Sequence, residues 1–160
     1  VCNSSPRPTA WCSRARGLIR ASAGVTLCIL FGAGCAPRIP WRFTDYNEAR
    51  ETAQRESKPV FVYFRNWYAV ECTKFEDDVL SAQAVVDAVS GMICVPLDLD
   101  WDKPLARGWD IDSAPAVVMT DPAGVRLAGR TGACSLGELL ALIHEARERF
   151  SASASQPTSR

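Results

Sequence analysis

The chain holds one histidine, His144, two methionines, and no two cysteines separated by two residues, although it has seven cysteines in all. A lone histidine without ligand spacing excludes the clustered imidazole set of a catalytic or structural metal site. Asp98, Asp100 and Asp102 alternate in the sequence, but a calcium loop needs a turn glycine and a closing glutamate, and their absence makes these three a polar strand end. The missing Cys-x-x-Cys removes the usual pair for dithiol exchange. No run of basic residues interleaved with aromatics occurs, which excludes a nucleic-acid-binding face. No internal repeat is visible.

Acidic residues are absent before Asp45, whereas Arg7, Arg14, Arg16 and Arg20 precede an apolar run from Ala21 to Gly34. A positive segment followed by a short apolar one reads as a targeting signal over residues 1–34. The run falls short of the about 20 residues that cross a bilayer comfortably. It ends in Phe31-Gly32-Ala33-Gly34-Cys35, which resembles a bacterial lipobox, with Gly32 where leucine is usual. Lipidation of Cys35 would tether the rest of the chain to a membrane and leave it facing the periplasm, with the outer membrane slightly favoured because Ala36, not aspartate, follows the cysteine. The alternative is plain secretion. Without residues 1–34 the chain carries 14 basic and 18 acidic side chains, and of its thiols only Cys72, Cys94 and Cys134 remain beside Cys35.

Residues 35–43, with Pro37 and Pro40, read as the lipidated cysteine and a short stiff linker. Asp45-x-x-Glu48 resembles a capping box, and Tyr46, Ala49 and Ala53 fall at helical spacing, which predicts a helix over 45–57. Val60 to Phe64 is an apolar run suited to a buried parallel strand. Helices are expected over 70–80 and 82–91, and a second core strand from Met92 to Leu99. Pro96 lies inside that strand and demands either a bulge or a different register. Leu105 to Trp109 reads as a short helical turn. Val117–Thr120 and Val125–Arg130 form two antiparallel strands around the Asp121-Pro122-Ala123-Gly124 turn. A last helix, from Ser135 to about Phe150, has Leu136, Leu139, Leu140 and Ile143 on one face. Residues 151–160 are small and polar and are expected to be disordered.

Three motifs in order carry a resemblance to the thioredoxin superfamily. Val60 to Glu76 resembles its strand, aromatic turn and helix start; Ser113-Ala114-Pro115 resembles its cis-proline loop; Gly132-Ala133-Cys134 resembles the Gly-Ala turn bordering the same face. The resemblance covers residues 44–150 and implies an α/β fold, a four-stranded mixed sheet flanked by helices, with an extra helix at the N-terminal side. The β-α-β then β-β-α element order agrees with it on separate grounds.

Matched residue by residue, Tyr68 takes the place of the family's tryptophan, Ala69 of its first cysteine and Cys72 of its second. Tyr63 stands where many members bury an aspartate, and Pro96 where a lysine often lies. Ala69 cannot react. Cys72 falls about one turn into the helix, with Glu71 adding a negative charge beside it and Lys74 a positive one. Three readings of Cys72 stay open: a small buried hydrophobe, a monothiol nucleophile, or a partner in a disulfide with Cys134. Trp67 and Tyr68 are core residues by composition, yet their place in the turn before Cys72 suggests an exposed apolar patch.

The resemblance thus implies a tethered domain whose groove, at Trp67, Tyr68, Ala69, Ala114, Pro115, Gly132, Ala133 and Cys134, binds a segment of another envelope protein as an added strand. It implies no cofactor and no metal. One alternative is a monothiol oxidoreductase using Cys72; another is a structural spacer lipoprotein.

Overall fold

The computed structural model describes residues 38–155, so the expected signal segment, the lipidation site Cys35 and the last residues of the expected tail lie outside it. Four strands form one sheet in the order β2-β1-β3-β4, with β1 at Val60–Arg65, β2 at Ile93–Asp98, β3 at Ala116–Thr120 and β4 at Arg126–Thr131. β1 and β2 run parallel, and β3 is antiparallel to both β1 and β4. Helices α1 (Tyr46–Glu56) and α4 (Lys103–Arg107) cover one face. The other face carries α2 (Val70–Phe75), a π-helical turn (Glu76–Leu80), α3 (Gln83–Ala88) and α5 (Leu136–Ala154).

Strand alternation explains the two layers. Val60, Val62 and Phe64 of β1 pack with Tyr46, Ala49, Ala53 and Trp109, while Phe61 and Tyr63 pack with Phe75, Leu139 and Ile143. Since both faces are covered, β1 is apolar almost throughout, as a central strand of a three-layer fold requires. Tyr46, which falls at the start of α1, donates or accepts a 3.2 Å hydrogen bond with Thr120 and meets Trp109 edge-on at 4.9 Å.

Helix ends follow the side chains that can satisfy orphan amides. Asp45 caps α1 by accepting from the Glu48 amide, and Ser135 and Glu138 form a reciprocal capping box on α5. The turn between β3 and β4 is closed by Asp121, whose Oδ1 accepts from the Val125 amide, and by Gly124 at φ 91°.

Pro96 needs neither bulge nor shifted register. It pairs opposite Tyr63 in an unbroken ladder on β2, which is an edge strand. The Ile93 and Leu99 amides donate inward to Pro59 and Arg65, so the even-numbered positions of β2 face the outer edge, where no named strand requires a donor from Pro96.

Three sequence expectations are corrected. The segment 38–43 is no free spacer: Ile39 is buried, Trp41 bridges to Cys94, and the Arg42 amide donates to the Cys94 carbonyl. The helix expected over 70–80 is α-helical only to Phe75 and then widens, with the Ser81 amide reaching back five residues to the Glu76 carbonyl. The tail expected to be disordered from Ser151 is helical through Ala154, because α5 continues past Phe150. Among the described residues, no helix is long and apolar enough to cross a membrane.

Candidate functional site

Strand register gathers the candidate residues at one end of the sheet. Arg65 pairs with Asp98, Phe64 with Ala116, and Ala116 with Thr131. The segments that leave these positions therefore emerge together: Asn66–Ala69 after β1, Leu99–Asp102 after β2, Ser113–Pro115 before β3, and Gly132–Ser135 after β4. The Ala114–Pro115 peptide is cis.

Ala69 is the N-cap of α2, has extended backbone, and its carbonyl accepts from the Cys72 and Thr73 amides. Its methyl offers no side-chain cap. Cys72 is buried at 1 % exposure, and its Sγ accepts from the Asn66 amide at 3.3 Å. Below it, the Tyr63 hydroxyl donates toward Glu76 Oε1 at 3.1 Å and lies 3.5 Å from the Cys72 carbonyl. Burial and the neighbouring Glu76 raise the Tyr63 pKa, so the phenol stays protonated and acts as a donor. The position that resembles the family's buried carboxylate thus carries a fixed hydrogen-bond donor instead.

Around this closed interior the aromatic turn is open. Trp67 is 70 % exposed, Tyr68 78 % and Val70 62 %. The Arg65 guanidinium lies 3.8 Å from the Trp67 ring centroid and 3.5 Å from the Glu76 carboxylate, which holds it under the indole. Tyr68 is held by Asp100, which also accepts from Asn66 at 3.4 Å and pairs with Lys103 at 2.9 Å. These bonds, Tyr68 first, lower the Asp100 pKa. Trp101, next in sequence to Asp100, is 85 % exposed.

On the far side of the site, Ala133 is exposed, Gly132 and Ala114 are half-buried, and Pro115 is buried. Cys134 is buried rather than presented to the groove, and burial raises its pKa. Cys94 sits near the opposite end of β2 in the core, and burial pushes its thiol up to about 12. Cys72, Cys94 and Cys134 are all free, so the disulfide considered for Cys72 and Cys134 is not formed. His144 lies on exposed α5 beside Glu148. Among the described residues, no three His, Cys, Asp or Glu side chains converge as a metal site requires. Asp98, Asp100 and Asp102 do not converge on a common centre; Asp98 accepts from the Asp100 amide, and Asp102 precedes α4.

Sequence reading missed Arg65, Asn66, Asp100 and Trp101. The alternating aspartates drew attention as a possible ion site, whereas one of them serves as the tether for Tyr68. Only the parallel pairing of β1 with β2 brings residues 34 positions apart together, and no local pattern carries that information.

The thioredoxin-like family model matches residues 41–122, half of the chain, spanning α1, the aromatic turn and the cis-proline loop. The chain belongs to the thioredoxin-like family. Its fold is similar to that of a thioredoxin from Thermus thermophilus, at 21 % identity and a TM-score of 0.62, over 72 % of this chain and 93 % of that one. A putative disulphide-isomerase from Bacteroides thetaiotaomicron is similar at 21 % identity and a TM-score of 0.61, over 71 % and 96 % of the two chains. A DsbH oxidoreductase matches at 18 % identity and a TM-score of 0.60, over 71 % and 87 %. At such identities the likeness is one of fold. Comparison with curated proteins gives no match.

Proposed function

We propose that this thioredoxin-like domain binds an extended segment of another envelope protein and does not catalyse dithiol exchange. The observation that carries the reading is the contrast across the aromatic turn. Ala69 stands at the helix start where a reactive thiol would be, Cys72 is 1 % exposed, and Trp67 and Tyr68 beside them are largely open to solvent. A closed sulfur and an open aromatic surface suit recognition better than nucleophilic attack. In this reading Trp67, Tyr68, Ala114, Pro115 and Ala133 form the groove. The backbone at Ser113 and Ala114, which lies outside the strand ladder of β3, pairs with the incoming segment. A lipid on Cys35 would hold the domain in the bacterial envelope, facing the periplasm. Because Ile39 and Trp41 are packed on the domain, such an anchor would keep it close to the membrane surface.

A second reading has one observation in its favour. The Asn66 amide donates to Cys72 Sγ, a contact that suits a sulfur acceptor, and a monothiol enzyme would use Cys72 as nucleophile.

An insulin-reduction assay on the protein beside its Ala69→Cys variant separates the two. The binding reading expects no turnover by the natural chain and turnover by the variant. Turnover by the natural chain that disappears in Cys72→Ser sinks the binding reading and supports the monothiol one.

A further inference from the structure

A cleft of about 330 Å³ opens between segment 38–41, one face of β1 and β2, and the π-helical turn. Its size falls at the lower end of the range of small-molecule sites. Its floor is Tyr63, whose hydroxyl points to Glu76. One wall is the Trp41 ring, stacked on Phe61 and Tyr63 through one face at centroid distances of 6.2 and 6.1 Å, yet 38 % exposed. An indole fixed in this way offers its remaining surface as a rigid apolar platform.

The rim charges are divided. Arg38 lies on the N-terminal segment and Asp77 on the π-helical turn, and neither has an ion pair among the described residues. Deeper in, Arg65 and Glu76 neutralise each other, with Arg65 Nε 3.5 Å from Glu76 Oε1. The inner pair is thus spent on itself, and the mouth of the cleft presents a cation and a carboxylate that have no ion pair among the described residues. A π-helical turn is a costly irregularity in a helix and tends to occur at functional positions. Here it supplies Glu76 and Asp77 together to the cleft.

We propose that this cleft is a binding site for a small zwitterion with an apolar body, of the class of a free α-amino acid. Arg38 receives the carboxylate, Asp77 receives the ammonium, and the side chain lies against Trp41. The proposal does not rest on the groove function, although Arg65, which lines the cleft, also lies beneath Trp67.

The test uses the full chain and three probes: L-phenylalanine, phenethylamine, which lacks the carboxylate, and 3-phenylpropionate, which lacks the ammonium. Binding is followed by NMR shifts of the Trp41 indole and of the 76–81 amides. L-phenylalanine is expected to saturate in the millimolar range, with each analogue about fivefold weaker, the scale of one solvent-accessible ion pair. Arg38→Ala should erase the preference for L-phenylalanine over phenethylamine and keep its preference over 3-phenylpropionate. Asp77→Asn should do the reverse. Both residues are exposed, so both variants should fold, as an unchanged amide spectrum would verify. Absence of saturable shifts, equal affinity for all three probes, or indifference to both substitutions overturns the proposal.

Discussion

The Tyr68 hydroxyl donates a 2.6 Å hydrogen bond to Asp100 Oδ2, joining the turn after β1 to the loop after β2 across 32 residues of sequence. With the Asn66–Asp100 bond and the stacking of Arg65 on Trp67, this contact ties down a turn whose exposed aromatic surface has little packing of its own. Exposed apolar side chains held rigid lose less entropy on binding than mobile ones.

Removing the tether should therefore change mobility more than stability. Tyr68→Phe and Asp100→Asn are both expected to leave the unfolding midpoint nearly unchanged, since the two groups are exposed, and to lower backbone order parameters over residues 66–70 and 99–102. Acid should mimic the substitutions. Asp100 has a lowered folded-state pKa, caused first by Tyr68 and then by Lys103, so its contribution is complete above the unfolded carboxylate value of about 3.9 and disappears as pH falls through the lower folded value. A carboxyl titration by NMR with a midpoint at or above about 3.9 would contradict this account.

The start of α5 makes a second acid-sensitive joint. Glu138 accepts from the Ser135 amide and hydroxyl at 2.8 Å and pairs with Arg130 at 2.7 Å, which together lower its pKa to about 2. Its stabilisation is fully present above the ordinary glutamate value of about 4.3 and fades as pH drops toward 2. Ser135→Ala should cost about 1 kcal/mol at neutral pH through the lost cap. The same variant should also raise the Glu138 titration midpoint in part, because the hydroxyl bond is lost while the residue 135 amide and Arg130 still hold the carboxylate. Urea melts at pH 7 and at pH 3 should show the wild-type advantage shrinking at the lower pH.

How far the sequence speaks depends on the range of the interaction. The apolar run Val60–Phe64, the Asp45 and Ser135 caps, and the Asp121–Gly124 turn are local signals, and each element formed where those residues placed it. The cis peptide before Pro115 lies within the motif that resembled the family's proline loop. Pro96 was a puzzle only because the neighbours of β2 are set by the whole sheet; an edge position dissolves it. Packing of Ile39 and Trp41 on the domain was likewise illegible, since two prolines nearby read as a spacer while the partners of Trp41 lie 20 or more residues away. At the site, the missing cysteine at Ala69 was visible in one residue, whereas the Asp100 tether required strand pairing to find.

Two glycines on either side of Cys134 should respond in opposite senses. Gly132 has φ 83° and nothing within 4 Å of where a Cβ would sit, so Gly132→Ala meets no atom and is penalised by backbone conformation alone, by about 1 kcal/mol. Gly137 lies in the first turn of α5 with equally open space and an ordinary helical backbone. Gly137→Ala should stabilise by about 0.5 kcal/mol, chiefly by restricting the unfolded chain. Denaturant midpoints for the two variants should bracket the wild type; a destabilised Gly137→Ala would show that this part of α5 is held differently.

Thiol chemistry tests the closed interior most directly. Cys72, Cys94 and Cys134 are all buried and free, and Cys94 is pushed up to about 12 by desolvation. Near neutral pH none of the three should react with a disulfide reagent faster than the protein opens, and all three should titrate once the chain is unfolded. Ala69→Cys changes one position at the rim of this interior. The new side chain would stand at the N-cap of α2, half-exposed, with the first-turn amides of the helix beside it. It should therefore react with the reagent at least about tenfold faster than any native thiol, since thiolates at helix starts are favoured over buried thiols. Attack of the Cys72 sulfur on the mixed disulfide so formed would release the reagent thiol and leave an intramolecular disulfide, seen as the loss of two thiols titratable after unfolding without reductant. Rapid reaction of Cys72 in the natural chain would instead mean that the sulfur is reachable despite its burial, and the lone thiol would have to be treated as the working group of the site.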